Sequence, residues 1–317
     1  MTKATLTTFA EENQSIVPKV SIGMPVYNGQ QFIKETLESI LSQTFEDYEL
    51  IISDNASTDD TGDICQSYAS IDKRIKYVRN DSNIGAAKNY NQLVSLARGR
   101  YFKWAAADDL IAPSYLRECV SILDHYPDVL VAHTAIGIID EHGNHVKDYN
   151  DELHFLSETP HERLNCYLFR KAGMWNAICG LVRTECMRKT PLIGSYESSD
   201  KVLLGEFVLR GKIYRITDRL FFRRTHPDQA GGAYKAGPKA KAEIAAWFDP
   251  LNKNKLILPV YARHTFSYLS SVNRVPMSFR EKILCHFCVL KWVTYKLIWI
   301  RAQRKVKKIF FIRKGIT

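Results

Sequence analysis

The sequence predicts an α/β fold, a mostly parallel twisted sheet with flanking helices, followed by a helical, basic C-terminal extension. The first observation is four apolar, β-branched or aromatic segments, "KVSIGMPV", "YELIIS", "IKYVRN" and "RYFKWAAA". The second is that segments with helical spacing lie between them: "GQQFIKETLESILSQT", "STDDTGDICQSYAS" and "GAAKNYNQLVSLARG". Short connections between alternating strands and helices are typical of βαβ units and a parallel sheet.

The pattern changes after about residue 127. "DVLVAHTAIGIIDEHGNHV" predicts a strand and a hairpin turn, and a less regular region follows to about 195. "SDKVLLGEFVLRGK" predicts a helix that begins near Asp200 and ends at Gly211, and "IYRITDRLFFRRTH" predicts a further strand. Residues 228–256 contain three glycines and several lysines, so we expect a mobile loop before a helical region from 257.

The positive charge is concentrated at one end of the chain. The whole chain carries 44 basic and 34 acidic residues, a net charge of +10. Residues 280–317 contain eleven Lys or Arg and one acid, Glu281, which is also +10. Residues 1–279 are therefore neutral overall, and the net positive charge of the chain belongs to its C-terminal end alone.

The composition and cysteine pattern favour a cytoplasmic globular protein. With 317 residues and 45% apolar content, the chain is long enough for a substantial core. The polar leader, residues 1–18, lacks the apolar segment of a signal peptide. The seven cysteines are odd in number and show no paired spacing that would suggest disulfides or a zinc site, so we expect reduced thiols.

Acids and amides follow the predicted strands at the edge where ligands of parallel sheets bind. No G-x-G-x-x-G or Walker A pattern follows the first strand, which argues against dinucleotide and P-loop binding. Asp108 and Asp109 end the fourth strand. They are typical of a helix cap before Pro113, or of a site for a hard divalent cation that would bridge to a phosphorylated ligand.

Four motifs in order resemble the inverting nucleotide-sugar glycosyltransferases of family 2, which have the GT-A fold. They lie in "VSIGMPVYNGQQFIKETLESILSQTFEDYELIISDNASTDDT", "NIGAAKNYN" and "GRYFKWAAADD", with a weaker continuation in "SSDKVLLGEFVLRG" and "RRTHPDQA". The resemblance covers about two-thirds of the chain. It implies a nucleotide-sugar-binding half at 19–127 and an acceptor-binding, catalytic half at 128–227, before the loop at 228–256 and the extension at 257–317.

The resemblance implies roles for individual residues. Donor nucleotide binding falls on Pro25, Tyr27, Asn28, Asp54, Lys88, Asn91 and Asp108. Asp54 would accept a hydrogen bond from the base, which favours uracil or thymine, and Asp108 would face the ribose. Asp109 would ligate Mn²⁺ or Mg²⁺ on the diphosphate. The chain departs from the family pattern at Ser53 and Ala107, where each motif's first acid is missing.

The remaining implied roles concern the reaction itself. Asp200 would be the base that deprotonates the acceptor hydroxyl, with Glu197 as the alternative, and a helix N-terminus would stabilise the ionised carboxylate. His226 would bind the metal or the diphosphate, and Arg223 and Arg224 would bind phosphate oxygens.

Each of these residues also has a structural interpretation. Asp54 is typical of an Asx turn and Asp200 of a helix N-cap. Tyr27 could belong to the core and Lys88 to a solvated helix face, while His226 could lie on a surface loop. Trp175 could be core or an acceptor platform.

The extension is predicted to bind an anionic membrane surface. "ILCHFCVLKWVTYKLIWI" (283–300) is apolar but carries His286, Lys291 and Lys296, which makes it a poor membrane-spanning helix. A helix lying in the membrane interface fits this composition. A terminal helix packed on the core and a nucleic-acid-binding tail are the alternatives, and we do not expect a nucleic-acid partner.

These inferences predict a hexosyltransferase-type, metal-assisted enzyme that moves a sugar, with inversion, from a nucleotide-sugar donor to a glycan or lipid-linked hydroxyl. The donor would be a UDP-sugar, and the pathway would be cell-surface polysaccharide or glycolipid biosynthesis at the inner face of the cell membrane. The alternatives are a non-catalytic carbohydrate or membrane scaffold with a degenerate fold, and a nucleotidyltransferase.

Overall fold

Strands and helices alternate through the first hundred residues, as predicted. The computed structural model describes residues 17–150, 152–170, 173–227, 246–250 and 259–313. The first elements are β1 Val20–Val26, α1 Ile33–Leu41, β2 Tyr48–Asp54, α2 Thr61–Ile71, β3 Ile75–Arg79, α3 Ala86–Leu96 and β4 Tyr101–Trp104. Most of the predicted leader and of the predicted loop at 228–256 lies outside the described residues.

The later elements include the predicted hairpin and the predicted C-terminal helices. They are β5 Leu110–Ile111, α4 Tyr115–His125, β6 Val129–Ile139, β7 His145–Tyr149, α5 Pro160–Phe169, a 3₁₀ turn at Asn176–Cys179, β8 Leu181–Arg183, α6 Thr184–Arg188, α7 Ser199–Arg210, β9 Lys212–Arg224, α8 Val260–Arg274 and α9 Phe279–Arg313. The fourth strand ends at Trp104, so "AAADD" forms a loop and not the end of a strand. Because β5 follows at once, the acids of that loop do not cap α4.

One sheet joins both halves of the chain in the order β3-β2-β1-β4-β8-β6-β9-β5, with β7 paired to β6. The first four strands are parallel, as predicted. β8 runs antiparallel between β4 and β6, and β9 is parallel to β6, which makes the sheet mixed. The predicted boundary at 127 therefore divides the chain but not the sheet.

Helices cover both faces of the sheet. On one face, Leu37 of α1 and Leu116 of α4 are buried in a cluster with Ile22 and Ile52. On the other, Leu93 of α3 and helices α5 to α9 pack in a second cluster. The alternation of side chains along each strand supplies both clusters, since successive residues face opposite sides.

The C-terminal helices are part of the main core. Tyr268 and Val272 of α8 and Cys285, Val289 and Trp292 of α9 are each at most 6% exposed. The three residues of α9 are spaced i, i+4, i+7, which is one face of a helix. The helical extension therefore packs on the body of the protein through about one turn of α8 and two turns of α9.

Arginines from other parts of the chain close the C-terminal ends of three helices. Arg188 donates to the carbonyl oxygen of Ala97 after α3, and Arg183 to that of Leu123 in α4 at 2.6 Å. Arg163, only 5% exposed, donates to Val208 in α7 at 2.7 Å. Cations at these ends satisfy free carbonyl groups and oppose the helix dipole.

Gly99 lies where the chain after α3 passes against β1, although the pattern of the sequence also suits a glycine that ends the helix. It does not end α3, which stops at Leu96. Its N–H donates to Ser21 Oγ at 2.8 Å, and a Cβ at this position would lie 2.5 Å from the backbone nitrogen of Ser21. Glycine is required here because the chain passes directly against β1.

Candidate active site

The C-terminal ends of β1, β2 and β3 lie side by side. Val26 pairs with Asp54 across β1 and β2, and Asp54 pairs with Arg79 of β3. Tyr27 follows β1 and is 48% exposed, so its ring stands at this edge as an open surface. The core interpretation of Tyr27 is therefore wrong.

Two of the predicted donor-binding residues at this edge are engaged by the protein itself. Pro25 is buried within β1 opposite Ser53. Asn28 has a positive φ of 50°, and its side-chain oxygen accepts the N–H of Thr58 at 2.8 Å. Its own N–H donates to Ser57 at 2.9 Å. Asn28 therefore joins the loops after β1 and β2.

Asp54 lies at the centre of a hydrogen-bond network that the sequence did not reveal. Its side chain is 0% exposed. One carboxylate oxygen accepts the N–H of Ser57 at 2.8 Å, and the other accepts the Tyr77 hydroxyl at 2.7 Å and the Arg79 guanidinium. The Ser57 bond is the Asx-turn geometry that the sequence left open. The carboxylate has room for a further donor, but a direct contact with a base would first require it to become accessible.

Amides fix the loop that carries "NIG". The side-chain oxygen of Asn55 accepts the N–H of Ile84 at 2.9 Å, and its amide donates to Asn83 at 2.8 Å. Asn91 makes two bonds, at 2.8 and 3.0 Å, to the backbone of Ile193. The donor role of Asn91 remains a prediction, and in this structure both ends of its amide hold the loop before α7. Lys88 is exposed, and its role remains a prediction.

Arg224 holds the Asp108-Asp109 loop from beneath. Its side chain is 0% exposed and lies over the ring of Phe32, at 4.7 Å from the ring centroid. Its Nε donates to the carbonyl of Asp108, and its backbone N–H donates to the Asp109 carboxylate, both at 2.9 Å. The binding of phosphate oxygens by Arg224 remains a prediction, and in this structure its guanidinium is enclosed and donates to oxygens of the protein itself.

His226 contacts the same loop. Its Nε2 lies 3.1 Å from the Asp108 carboxylate, and its ring lies 4.6 Å from that of Phe32. The side chain is 10% exposed, and Nδ1 is buried with no hydrogen-bond partner among the described residues. The surface-loop interpretation of His226 is wrong, since the imidazole is held against an acid of the candidate site.

Burial and the Asp108 charge raise the pKa of Asp109 to about 7. The N–H of Arg224 and the charge of Arg223 oppose that rise. Asp109 forms no ion pair within the part of the chain that the structure describes. Arg223 and the buried Lys103 offset part of the Asp109 charge, but two adjacent carboxylates without a direct ion pair to Asp109 in the described part of the chain still favour a bound cation.

Arg223 connects this loop to the predicted base. It lies beside Arg224 on β9, but neighbouring residues of a strand face opposite sides. Its guanidinium is only partly buried, donates to Asn176 at 3.2 Å, and lowers the pKa of both Asp109 and Asp200. Arg223 is therefore close enough to both carboxylates for its charge to act on each.

Asp200 is in the first turn of α7, as predicted. Burial raises its pKa, while its own N–H, that of Lys201 and the charge of Arg223 oppose the rise. The expected stabilisation by the helix N-terminus is present, but burial outweighs it. Glu197 precedes the helix by two residues and remains the alternative base.

Tyr90 is a site residue that the sequence did not single out. Burial raises its pKa, and four nearby acidic groups raise it further: Cys179, Asp108, Asp109 and Asp200. A hydroxyl among several acids stays protonated and acts as a hydrogen-bond donor. Its position in "NIGAAKNYN" was the available signal.

The described side chains of the candidate site offer few ligands for a metal ion. No group of three or more His, Cys, Asp or Glu side chains is arranged to hold a metal ion in the described ranges. Asp109 and the unpartnered Nδ1 of His226 fit a cation that takes its other ligands from a diphosphate and water. The residues therefore fit Mn²⁺ or Mg²⁺ only together with the donor.

Comparisons with known proteins identify the family of the chain. The family described as "Glycosyl transferase family 2" matches residues 21–189, more than half of the chain. An uncharacterized glycosyltransferase of Rickettsia typhi is 26% identical over 320 residues, which cover 94% of this chain and 97% of the relative. One from Methanocaldococcus jannaschii is 32% identical over 143 residues, 44% of this chain. That alignment spans 49% of the relative, so the chain matches about half of its length.

Solved structures support the fold. S. aureus TarS 1–349 in complex with UDP-GlcNAc superposes with a TM-score of 0.53 at 17% identity, covering 87% of this chain and 88% of that one. A mannosyltransferase from Pyrobaculum calidifontis, in complex with GDP-Man and Mn²⁺, gives a TM-score of 0.51 at 15% identity, covering 91% and 76%. The chain belongs to glycosyltransferase family 2 and adopts the mixed α/β GT-A fold.

Proposed function

We propose that the protein transfers a sugar, with inversion, from a UDP-sugar to a hydroxyl of a glycan or lipid-linked acceptor. The observation that carries the proposal is the position of Arg223, which interacts with both Asp109 and Asp200. A donor diphosphate beside Asp109 and an acceptor hydroxyl beside Asp200 would then approach one another across this guanidinium. Family membership favours this activity over the scaffold and nucleotidyltransferase alternatives.

The protein residues have separate tasks in this proposal. Tyr27 presents an exposed ring for the base, and the Asp54 network positions the loop beside it. Asp109 and His226 would hold Mn²⁺ or Mg²⁺, which neutralises charge on the departing diphosphate. Arg223 and the Tyr90 hydroxyl donate toward the same charge. Asp200 accepts the proton of the attacking hydroxyl.

The test is release of UDP from a panel of UDP-sugars, with Mn²⁺, with Mg²⁺ and with a chelator. We expect metal-dependent release that Asp109→Asn reduces at least a hundredfold. Asp218→Asn is the matched control, because Asp218 is an exposed acid of the same strand as Arg223. Activity with GDP-sugars but not UDP-sugars would refute the base assignment. Full activity of Asp109→Asn in chelator would refute the metal role.

We also propose that α9 rests on an anionic membrane surface in cell-surface polysaccharide or glycolipid biosynthesis. No described helix is both long and apolar enough to cross a membrane. Opposite its buried face, α9 exposes large apolar side chains: Phe279, Ile283, Phe287, Leu290, Leu297 and Ile298. Lysines flank this face, and an apolar face with flanking cations supports binding in the plane of a bilayer.

A truncation is a poor test of this surface. Deleting residues 280–317 would also remove Cys285, Val289 and Trp292 from the core. The double substitution Phe287→Ser with Leu290→Ser leaves the core intact. We expect it to reduce sedimentation with vesicles containing phosphatidylglycerol at least fivefold, whereas Val146→Ser, on exposed β7, should have no effect. Equal sedimentation of all three proteins would refute the proposal.

A further inference from the structure

Cationic and aromatic side chains surround the N-terminal end of α7 beyond Asp200. The ring of Trp175 has the Arg170 guanidinium 4.1 Å from its centroid and the Lys201 ammonium 5.4 Å away. The Arg263 guanidinium lies 5.0 Å from the centroid of Tyr196. All five side chains are partly buried, as expected of the wall of a cleft and not of a fully solvated surface.

The cations belong to one cluster. His264 lies between Lys201 and Arg263, and burial together with these two charges lowers its pKa to about 4. Burial lowers the pKa of Lys296 in α9, and the nearby positive charge of Lys201 lowers it further. Four separate elements, the end of α5, α7, α8 and α9, thus bring positive charge to one place.

Two of these cations are not balanced by ion pairs of the protein as far as the structure describes it. Neither Lys201 nor Arg263 lies within ion-pair distance of a described carboxylate. Asp200 is the acid that the structure records as interacting electrostatically with Lys201. Three buried polar atoms nearby have no hydrogen-bond partner: Ser199 Oγ, Arg263 Nε and His264 Nε2. Crowded cations and unpaired polar atoms favour an anionic ligand.

We propose that this cluster binds an acidic group, a phosphate or a carboxylate, that the acceptor carries next to its reacting hydroxyl. The inference rests on the proposed function, in which Asp200 accepts the proton of that hydroxyl. Trp175 forms the apolar wall against which a sugar ring stacks, while Lys201 and Arg263 fix the neighbouring charge. The donor diphosphate is a separate ligand in this proposal, because its residues, Asp109 and Arg223, are not members of the cluster.

The test begins with protein saturated with UDP and Mn²⁺, so that phosphates cannot compete for the donor site. Calorimetry then measures the binding of glucose 1-phosphate, glucuronate and uncharged methyl glucoside. We expect at least one anionic sugar to bind ten times more tightly than methyl glucoside. Tighter binding of glucose 1-phosphate indicates a phosphate-bearing acceptor, and tighter binding of glucuronate indicates an acidic sugar.

Variants separate this cluster from general electrostatics. Lys201→Gln and Arg263→Gln should each reduce the preference for the anionic sugar at least fivefold, with unchanged affinity for UDP. Lys189→Gln, which removes a surface cation paired with Glu185, should change neither value. Equal binding of charged and uncharged sugars, no binding of either anionic sugar, or an unchanged preference in both variants would overturn the inference. Failure of the wild-type protein to bind UDP would instead refute the proposed function.

Discussion

Replacing Arg224 with Met should destabilise the protein by about 3–5 kcal/mol. The side chain is 0% exposed and donates to three backbone carbonyls, those of Asp108, Asp140 and Glu141, and to the Glu35 carboxylate. The carbonyls of Asp108 and Asp140 belong to partly buried residues, and each lost bond to a charged donor costs about 1–2 kcal/mol there. Glu141 is exposed and Glu35 is 51% exposed, so water replaces most of what they lose.

The contact of Arg224 with the ring of Phe32 supplies the rest of the expected loss of stability. A desolvated cation over an aromatic ring contributes about 1 kcal/mol, and Met keeps the stem of the side chain but not the charge. Guanidinium denaturation followed by circular dichroism measures the free energy of unfolding. We also expect weaker UDP binding, because the Asp108-Asp109 loop loses its support.

The neighbouring residue supplies the control. Arg223→Met should change the free energy of unfolding by less than about 1 kcal/mol, since its guanidinium is partly exposed, yet reduce sugar transfer strongly. The reasoning would be refuted if Arg224→Met unfolded within 1 kcal/mol of the wild type, or if both substitutions destabilised the protein equally.

Three further predictions concern single side chains. Asp200→Asn should lower kcat about 10²–10⁴-fold. Burial raises the pKa of Asp200 above the ordinary aspartate value of 3.8, and only the ionised carboxylate is a base. As the pH is lowered, the wild type should therefore lose activity at a pH higher than 3.8. A pH profile of kcat/KM that stays flat down to about pH 4 would contradict this. Tyr90→Phe removes one hydrogen-bond donor to charged groups and should reduce kcat/KM about 5–30-fold at unchanged thermal stability, and equal activity of the two proteins would exclude the hydroxyl from the reaction. Gly99→Ala should destabilise the fold by about 1–3 kcal/mol in denaturant titrations, because its Cβ would lie 2.5 Å from the Ser21 nitrogen; a variant as stable as the wild type would show that β1 can move aside.

The local pattern of the sequence predicted the first half of the fold. Strand and helix periodicities were sufficient for β1 to β4 and α1 to α3, and short connections were sufficient for parallel pairing. The position of β8 between β4 and β6 was not predictable, because a three-residue strand leaves no period to detect. The mixed character of the sheet depends on that strand.

The candidate site was predictable in position but not in detail. Acids at strand ends indicated the correct edge of the sheet. The sequence could not tell which arginine of "RR" faces the ligand, since a strand alternates its sides and the pattern does not fix which side is which. Likewise, the sequence around Asn91 does not reveal whether its amide bonds to the Ile193 backbone or to a nucleotide-sugar.

The arginines that close α3, α4 and α7 have a consequence for synthesis on the ribosome. The carbonyl groups at the end of α3 have no Arg188 donor, and those of α4 no Arg183 donor, until these arginines are synthesised 60 or more residues later. The nascent donor-binding half therefore emerges with β4 as an open sheet edge until β8 pairs with it. We expect a chain stopped at residue 127 to be captured by chaperones and to become resistant to protease only once synthesis has passed Arg188.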